Sequence, residues 1–355
     1  MLLKNVKFKE NITDITIENG RFTHIGRTNG TGIDAEGLKI LPGLIDIHAH
    51  GCLGYDTMEG HLPEMAAYEL SHGITTWYPT TMTMPFADVA AACAAPTEGF
   101  IGSHIPGFHL EGPVLSEKSK GAQTASHLHA PTEELLRLCP RAKLITLAPE
   151  LDGSMDFIKA CDIVVALGHS DCDYDTAAAA FAAGASCLTH TFNAMPALHH
   201  RAPGPIAAAA DHGAYAQLIS DGIHVHPAMV RLLFRLFGDE RVVLISDSLR
   251  TTGLGDGEFM FGGQKVIQKD GVARIESGAL AGSSTNLFEC MRRAVSFGIP
   301  EETAVRAASE NPARLMGLNK GRIEVGYDAD FLLVTDDLRL RRVFIDGEET
   351  PAAGA

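Results

Sequence analysis

The middle of the chain is a series of short apolar runs, each followed by a segment with helical character. The predicted strands end at or near His48 and His50, Thr80, Glu111, Glu150, His169, His190, His224 and Asp247. The predicted helices between them include Leu62–Ser71, Thr132–Leu138, Thr176–Ala183 and Pro227–Phe237. Roughly eight β-then-α units in series are the signature of a (β/α)8 barrel, so we predict an α/β protein built around a TIM-type barrel.

Both ends of the chain differ from this middle part. Residues 1–40 alternate apolar and polar side chains and contain the turn signals Asn19-Gly20 and Asn29-Gly30. The stretches GRIEVGYDADFLLV and RRVFIDGE near the other end show the same strand-and-turn pattern. We predict that residues 1–42 and 322–355 form one small β-sandwich domain. Residues 43–321 would then form the barrel, with a hairpin inserted near 252–280.

The composition describes a soluble globular protein with an acidic surface. Of the 355 residues, 45% are hydrophobic and 21% are charged, and the formal net charge is -15. This charge argues against binding to nucleic acid or an anionic membrane, and an anionic substrate would need a local cluster of cations. Seven cysteines without a C-x-x-C pair predict reduced thiols. Because we find neither a signal-peptide core nor an apolar run of membrane-spanning length, we expect a cytoplasmic protein.

Metal-binding side chains occupy the predicted strand ends, which meet around one site in such barrels. His48 and His50 are two residues apart, so their imidazoles point to the same side of a strand. Glu111 follows an apolar run; it could be an acidic helix cap, but a buried carboxylate needs a partner. His169 and His190, each typical of a core histidine when taken alone, complete with Glu111 the ligand set of catalytic zinc or ferrous iron. His48 and His50 could hold a second ion, with Glu111 bridging the two.

Three further residues suit roles beside such a site. Asp247 ends the run RVVLISD; it could be a helix N-cap, but its place on the last predicted strand favours general acid/base chemistry. Arg201 follows His199 and His200 in a loop. A solvated loop cation is the alternative, but in so acidic a chain this compact group suits an anion such as phosphate. His224 could supply a further ligand for an anion or a hydroxyl group.

The motifs resemble those of the N-acetylglucosamine-6-phosphate deacetylases, a group within the amidohydrolase superfamily. The similarity runs almost from end to end, and it includes LPGLIDIHAHG, GFHLEGP with KGAQ after it, LGHSD, THTFNAMPALHHRAPG, DGIHV, LISDS, ALAGSSTNL, ENPARLMGL and GYDADFLLV. The segment that begins THTFNAM and ends HHRAPG is much more specific than the H-x-H pair found throughout the superfamily.

For the metal centre, the resemblance implies a barrel of the metal-dependent hydrolase kind with one or two divalent ions, Zn or Fe(II), in each subunit. The main ion would be held by Glu111, His169 and His190. The second would be held by His48 and His50, whose presence favours two ions. Asp247 would be the catalytic acid/base.

For the substrate, the resemblance implies a phosphorylated amino sugar. Its phosphate would contact the side chain of His224, backbone groups around Asn193 and Ala194, and Arg201 reaching across the interface of a homodimer. Gln123 stands where some members carry a histidine that polarises the substrate carbonyl. Its amide can donate a hydrogen bond but cannot carry a proton, so Gln123 is a catalytic and substrate-binding candidate with an altered role.

The implied reaction is metal-dependent deacetylation of N-acetylglucosamine 6-phosphate to glucosamine 6-phosphate and acetate, in amino-sugar catabolism and cell-wall sugar recycling. Two alternatives within enzymes are a deacetylase for the galactosamine isomer and a cyclic-amide hydrolase, which would share the fold and the metals. A third alternative is a non-catalytic barrel scaffold. Scaffolds of this kind tend to lose ligands and the acid/base, whereas this chain retains all of them.

Overall fold

The structure is a computed structural model that describes residues 1–351. Its strands, in chain order, are β1 (Leu2–Phe8), β2 (Asn11–Glu18), β3 (Arg21–Ile25), β4 (Ile33–Asp34), β5 (Lys39–Pro42), β6 (Leu44–Ala49), β7 (Gly51–Cys52), β8 (Tyr55–Asp56), β9 (Ile74–Pro79), β10 (Phe108–Glu111), β11 (Ala142–Leu147), β12 (Val164–Leu167), β13 (Cys187–Leu188), β14 (Tyr215–Ile219), β15 (Val242–Ile245), β16 (Gly257–Phe261), β17 (Gln264–Lys269), β18 (Val272–Ile275), β19 (Phe331–Val334), β20 (Leu340–Ile345) and β21 (Glu348–Glu349).

The α-helices are α1 (Leu62–Ser71), α2 (Phe86–Cys93), α3 (Glu133–Leu138), α4 (Ser154–Ala160), α5 (Tyr174–Ala183), α6 (Gly204–Asp211), α7 (Pro227–Phe237), α8 (Leu287–Ser296), α9 (Glu301–Ala308) and α10 (Glu310–Met316). Short 3-10 turns lie at Thr57–Glu59, Glu117–Ser119 and Ala125–His127. None of the helices within residues 1–351 combines the length and the apolarity that a membrane crossing requires.

Eight parallel strands form the predicted barrel. Strands β10 to β15 pair in sequence order, and β6 pairs with β9. Parallel bridges join β9 to the β10 region, between Thr80 and His109 for example, and the backbone N–H of Asp247 donates to the carbonyl of His48 at 2.9 Å. That last bond links the end of β15 to β6, so the (β/α)8 prediction is confirmed.

The predicted helices follow from clear local signals. α1 and α7 have the predicted bounds, and each carries a proline in its first turn, where the missing N–H costs nothing. On α7 the buried side chains recur at helical spacing, at Val230, Leu233, Phe234 and Phe237. α3 begins one residue later than predicted because Thr132 is its N-cap and accepts the N–H of Glu134.

Both chain ends contribute to one β-sheet domain, as predicted. Its strands follow the order β21-β20-β19-β5-β1-β2-β3, with β4 on β1. The inner face is aromatic: Phe331 stacks on Phe344 with ring centroids 4.3 Å apart, and Phe22 lies 6.0 Å from Phe331. β19 pairs antiparallel with β5, which leads directly into β6 of the barrel. The domain boundaries at 42 and 322 stay a prediction.

A small antiparallel sheet of β16, β17 and β18 lies in the segment where the sequence indicates an inserted hairpin. Its buried face packs on loops at the carboxyl ends of the barrel strands, through a cluster that contains Met82, Leu249, Phe261, Val266, Ala273, Ile275 and Ala281. This insert sheet therefore covers the end of the barrel at which the candidate metal ligands lie.

Five predicted strand ends lie beyond the observed ones. β12, β13 and β15 end two residues before His169, His190 and Asp247. β11 ends at Leu147 rather than near Glu150, and β14 ends at Ile219 rather than at His224. After β14 a polar turn follows, in which the Asp221 carboxylate accepts the N–H groups of Ile223 and His224. All seven cysteines are free thiols, as predicted.

Candidate metal centre and substrate cavity

Four histidines and one glutamate meet at the carboxyl end of the barrel. Glu111 Oε1 lies 3.3 Å from His48 Nε2, 3.3 Å from His169 Nε2 and 3.1 Å from His190 Nε2. Glu111 Oε2 lies 3.1 Å from His50 Nε2. Sequence separation between these residues is large, yet all five predicted ligands converge, with Glu111 at the centre.

For three of the four imidazoles, a hydrogen bond at Nδ1 decides that Nε2 is the nitrogen facing Glu111. His50 Nδ1 lies 3.2 Å from the carbonyl of Thr80, and His169 Nδ1 lies 2.9 Å from the carbonyl of Ser119. His48 Nδ1 lies 3.0 Å from the amide oxygen of Gln217. A carbonyl partner requires Nδ1 to carry the proton, which leaves the Nε2 lone pair free for a metal.

Asp247 completes the centre from the last strand. Its Oδ1 lies 3.4 Å from the Nε2 atoms of both His48 and His50. Burial by itself would raise the pKa of this carboxyl, but His48 and His50 outweigh burial and hold the pKa below its usual value. Asp247 is therefore ionised at neutral pH, as a base must be.

Three of these residues have a left-handed backbone. The φ angles are +48° at His169, +25° at His190 and +49° at Asp247. Each of the three lies two residues beyond the end of its barrel strand. L-residues with a side chain rarely adopt this conformation, and such strain concentrates at functional sites. The strain accompanies a sharp turn that aims each side chain back over the barrel.

The donor atoms form two groups that fit divalent ions. Glu111, His169 and His190 form one group, and His48, His50 and Asp247 form the other. Within them, His169 Nε2 and His190 Nε2 are 3.0 Å apart and His48 Nε2 and His50 Nε2 are 3.4 Å apart. Donors at about 2.1 Å from a tetrahedral ion are about 3.4 Å from one another, so the spacing suits a metal. Imidazole and carboxylate donors suit Zn and Fe(II) equally.

The pKa values of the buried side chains also indicate that this centre binds a cation. Burial would raise the pKa of Glu111, but His48 and His169 hold it well below its usual value. For His50, burial lowers the pKa, yet Asp247 and Glu111 raise it to about 10. Without a metal, the buried carboxylates thus raise the pKa values of His48 and His50 and draw protons onto these two side chains. A divalent ion would supply the same positive charge directly.

A cavity of about 460 Å³ opens onto this centre. The floor of the cavity is formed by the candidate site residues Glu111, His50, His169, His190 and Asp247. The remaining wall is formed by Lys118, Gln123, Asn193, Ala194, His224, Phe261 and the 279–282 segment. The Phe261 ring from the insert sheet meets the His50 ring edge to face, with centroids 5.6 Å apart. The volume suits a monosaccharide-sized ligand.

Gln123 is buried and held at both ends of its amide. Its Oε1 accepts the N–H of Thr83 at 2.9 Å, and its Nε2 donates to Glu111 Oε2 at 2.7 Å. The side chain thus contacts a metal-ligand candidate directly. An NH2 group has two hydrogens, so one remains for the cavity. A contact with a substrate carbonyl stays a prediction.

Three of the residues predicted to contact the phosphate also line the cavity. Asn193 and Ala194 are in its wall, and Ala194 has a left-handed φ of +50°. The side chain of His224 is 5% exposed, and its Nδ1 lies 2.7 Å from Asp221 Oδ2. His224 Nε2 is buried and has no hydrogen-bond partner among the described residues. This nitrogen can therefore donate to a ligand.

Arg201 does not belong to this wall. It is exposed and donates to His200 Nε2 at 2.7 Å. A cation placed away from its own cavity suits a contact with a neighbouring subunit, which stays a prediction.

Other residues of the site were not predicted from the sequence. Lys118 and Phe261 line the cavity, and Gln217 contacts His48 and the backbone of His190. Of these, Gln217 carried a usable signal, because it is the one amide in the strand YAQLI. Phe261 and Lys118 lie in loop or insert segments, whose position depends on contacts that are distant in sequence.

Known proteins with similar sequences share this architecture. Residues 40–350 match the profile of the Amidohydrolase family. An N-acetylglucosamine-6-phosphate deacetylase of Vibrio furnissii is 36% identical over 353 residues, which cover 93% of this chain and 88% of that protein. An N-acetylgalactosamine-6-phosphate deacetylase of Escherichia coli O157:H7 is 34% identical over 334 residues, which cover 89% of this chain and 88% of that protein.

A solved structure agrees over nearly the whole chain. The N-acetyl-D-glucosamine-6-phosphate deacetylase of Mycobacterium smegmatis, solved as a mutant in complex with N-acetyl-D-glucosamine-6-phosphate, matches with a TM-score of 0.91 at 30% identity. The match covers 98% of each chain. The present chain therefore belongs to the amidohydrolase family, in the group of the N-acetylglucosamine-6-phosphate deacetylases.

Proposed function

We propose that this protein hydrolyses the acetamide of N-acetylglucosamine 6-phosphate and releases glucosamine 6-phosphate and acetate. One observation carries the proposal: a buried cluster of four imidazoles, Glu111 and Asp247 lies at the floor of a sugar-sized cavity, and all of its members except His48 line that cavity. The relatives in Vibrio furnissii and Mycobacterium smegmatis, which are named for this activity, support it.

We assign Glu111, His169 and His190 to a first divalent ion, Zn or Fe(II), and His48 and His50 to a second, with Glu111 shared. Bound there, a divalent ion supplies a Lewis acid that lowers the pKa of water and stabilises negative charge on the amide carbonyl. Asp247 Oδ1 is 3.4 Å from His48 and His50, so this carboxylate faces the same space.

Asp247 has the chemistry of a general base and then a general acid. Its low pKa keeps it ionised, so it accepts the proton of the attacking water and passes that proton to the leaving amine nitrogen. Gln123, fixed by Thr83 and Glu111, uses its second amide hydrogen to stabilise the developing oxyanion.

The phosphate would bind where His224, Asn193 and Ala194 line the cavity, with His224 Nε2 and the backbone around Asn193 and Ala194 as donors. Arg201 of the neighbouring subunit of a homodimer would add a fork of N–H donors. Binding far from the scissile bond fixes the pose of the acetamide. The free thiols support the cytoplasm as the compartment, and the activity for which the relatives are named supports amino-sugar catabolism and recycling as the setting.

The decisive experiment is an acetate-release assay with defined Zn or Fe(II). We expect turnover of N-acetylglucosamine 6-phosphate, far weaker turnover of the unphosphorylated sugar, and more than one metal per chain by elemental analysis. Asp247→Asn should lower kcat by about 10²–10⁴-fold. Asp14→Asn, a change at a buried carboxylate of the terminal sheet, is the matched control. Metal-independent release, or equal rates with and without phosphate, would contradict the proposal.

A second substrate is supported by one relative. The Escherichia coli O157:H7 protein, named for the galactosamine isomer, is 34% identical over 334 residues, close to the 36% of the Vibrio furnissii enzyme. Including N-acetylgalactosamine 6-phosphate in the same assay decides between the two sugars. A higher kcat/KM for that isomer would reverse the assignment while leaving the reaction type unchanged.

A further inference from the structure

Gln217 on β14 is a fully buried amide that lies between the two groups of metal-ligand candidates. Its Oε1 lies 3.0 Å from His48 Nδ1, in one group. The same oxygen accepts the backbone N–H of His190, in the other group, at 3.4 Å. One side-chain atom therefore contacts both halves of the candidate metal centre, and the proposed function assigns Gln217 no role.

The contact with His190 determines which end of the amide faces the histidines. A backbone N–H can only donate, so the atom opposite the His190 N–H must be the amide oxygen rather than the NH2 group. The same oxygen then requires a donor at His48 Nδ1. His48 is thereby held in the tautomer whose Nε2 lone pair points towards Glu111, 3.3 Å away, and Asp247, 3.4 Å away.

Gln217 also supports the strained turn at His190. Its backbone carbonyl accepts the N–H of Thr191 at 2.8 Å, while its side chain accepts the N–H of His190. Both backbone amides around the φ of +25° thus bond to one residue. His190 Nδ1 is buried and has no hydrogen-bond partner within residues 1–351, so these backbone bonds, rather than a side-chain bond at Nδ1, position His190.

The other end of the amide argues against a purely structural role. Gln217 Nε2 is buried and has no hydrogen-bond partner among the described residues. An unsatisfied buried N–H group is unfavourable, and an apolar side chain of similar volume would avoid that cost. The neighbours Ala216, Leu218 and Ile219 are apolar and fully buried, so the strand itself does not require an amide.

We propose that Gln217 is a positioning residue that couples the two metal half-sites, by fixing the tautomer of His48 and the backbone of His190 through one oxygen. The inference rests on the metal centre of the proposed function. It predicts that losing this single oxygen weakens binding of both ions, whereas losing a ligand of one half-site affects mainly that half-site.

The test compares Gln217→Met, which removes the acceptor at similar volume, with Gln217→Glu, which keeps an oxygen for both contacts. Zinc affinity of each site is measured by competition with a chelator. We expect Gln217→Met to bind both zinc ions about 10–100-fold more weakly, the range found for lost outer-shell partners, and Gln217→Glu to recover most of that loss. Gln268→Met is the matched control, since Gln268 is a buried glutamine bonded to Leu254 and Ser284 in the insert region.

A second readout does not depend on metal or activity. Nitrogen NMR of the metal-free protein, taken to a pH at which His48 has become neutral, reports the tautomer of His48. We expect the Nδ1–H preference in the wild type and Gln217→Glu but not in Gln217→Met. Wild-type zinc affinity together with an unchanged His48 tautomer in Gln217→Met would overturn the inference. A wild-type protein that binds no zinc would contradict the proposed function instead, and the tautomer would then decide the inference alone.

Discussion

At the scale of single residues, His224 shows how one contact sets the chemistry of a binding group. Burial lowers the pKa of its imidazole, and Arg274 acts in the same direction. The carboxylate of Asp221, 2.7 Å away, and the charge of Asp247 outweigh both, so the pKa of His224 lies above its usual value. The imidazolium therefore persists towards neutral pH and presents a charged Nε2–H to the cavity.

The first prediction concerns the pH dependence of substrate binding. A group with a raised pKa keeps its proton below that pKa and loses it as the pH rises, so KM for the phosphorylated sugar should increase with pH above neutrality. In His224→Gln, the glutamine amide can still donate a hydrogen bond to the phosphate, but it does not gain or lose a proton in this pH range. We expect it to raise KM about tenfold at pH 6.5, equivalent to about 1.4 kcal/mol, and to flatten the profile. Steady-state kinetics between pH 6.5 and 9 provide the measurement.

The neighbouring histidine offers a matched control. His226 is exposed and caps α7 by accepting the N–H of Ala228 at 3.1 Å. His226→Gln should leave KM and its pH profile unchanged. An identical pH slope in the wild type and in His224→Gln would show that another group titrates.

At the scale of elements, regular structure was predictable and loop geometry was not. α1 and α7 have their predicted bounds because proline and amphipathic spacing are local signals. The convergence of the five candidate metal ligands was predictable because parallel strands bring their carboxyl ends together. The positions of Gln217 and Phe261 relative to those ligands depend on strand pairing and insert packing, which periodicity along the chain does not report.

Arg250 provides one polar link between the barrel loops and the insert sheet. Its guanidinium donates to the carbonyl of Met260 at 2.6 Å and pairs with Glu59 at 2.9 Å. Gln264 of β17 provides another link, because its Nε2 donates to the carbonyl of Ala122, next to Gln123, at 2.6 Å. These polar links add to the apolar cluster that packs the insert sheet on the barrel loops.

The second prediction tests this attachment. Arg250→Met removes charge-assisted bonds worth about 1.5–3 kcal/mol each, so amide hydrogen exchange should accelerate at least about tenfold across 257–275 while the barrel strands keep their protection. Mass spectrometry of the exchanged peptides measures these exchange rates. Arg306→Met, which breaks ion pairs to Glu302 and Glu310 on α9 and α10, is the control. Faster exchange throughout the barrel would contradict a local role.

At the scale of the whole molecule, Arg201 raises the question of how many chains make one active site. It is exposed, lies outside the wall of its own cavity and sits in a loop with His199 and His200. If it binds the neighbour's phosphate, each site combines Asp247 of one subunit with Arg201 of the other. Symmetric dimers make such an exchange reciprocal.

The third prediction uses mixed subunits. Arg201→Ala and Asp247→Asn should each be nearly inactive alone. After joint refolding, half of the dimers contain both chains and one of their two sites is intact, so about a quarter of wild-type activity should return. Acetate release at matched protein concentration measures it, with separately refolded and then mixed homodimers as the control. No recovery in the mixed dimers would place Arg201 outside the neighbour's site.

The left-handed backbone at His169, His190 and Asp247 has a consequence for how this protein can change. Each of these positions costs roughly 1–2 kcal/mol in backbone strain relative to glycine. Glycine there would relieve the strain, but it would remove a candidate metal ligand or the candidate acid/base and leave buried charged neighbours without a partner. Directed evolution of this barrel must therefore screen for turnover and stability together.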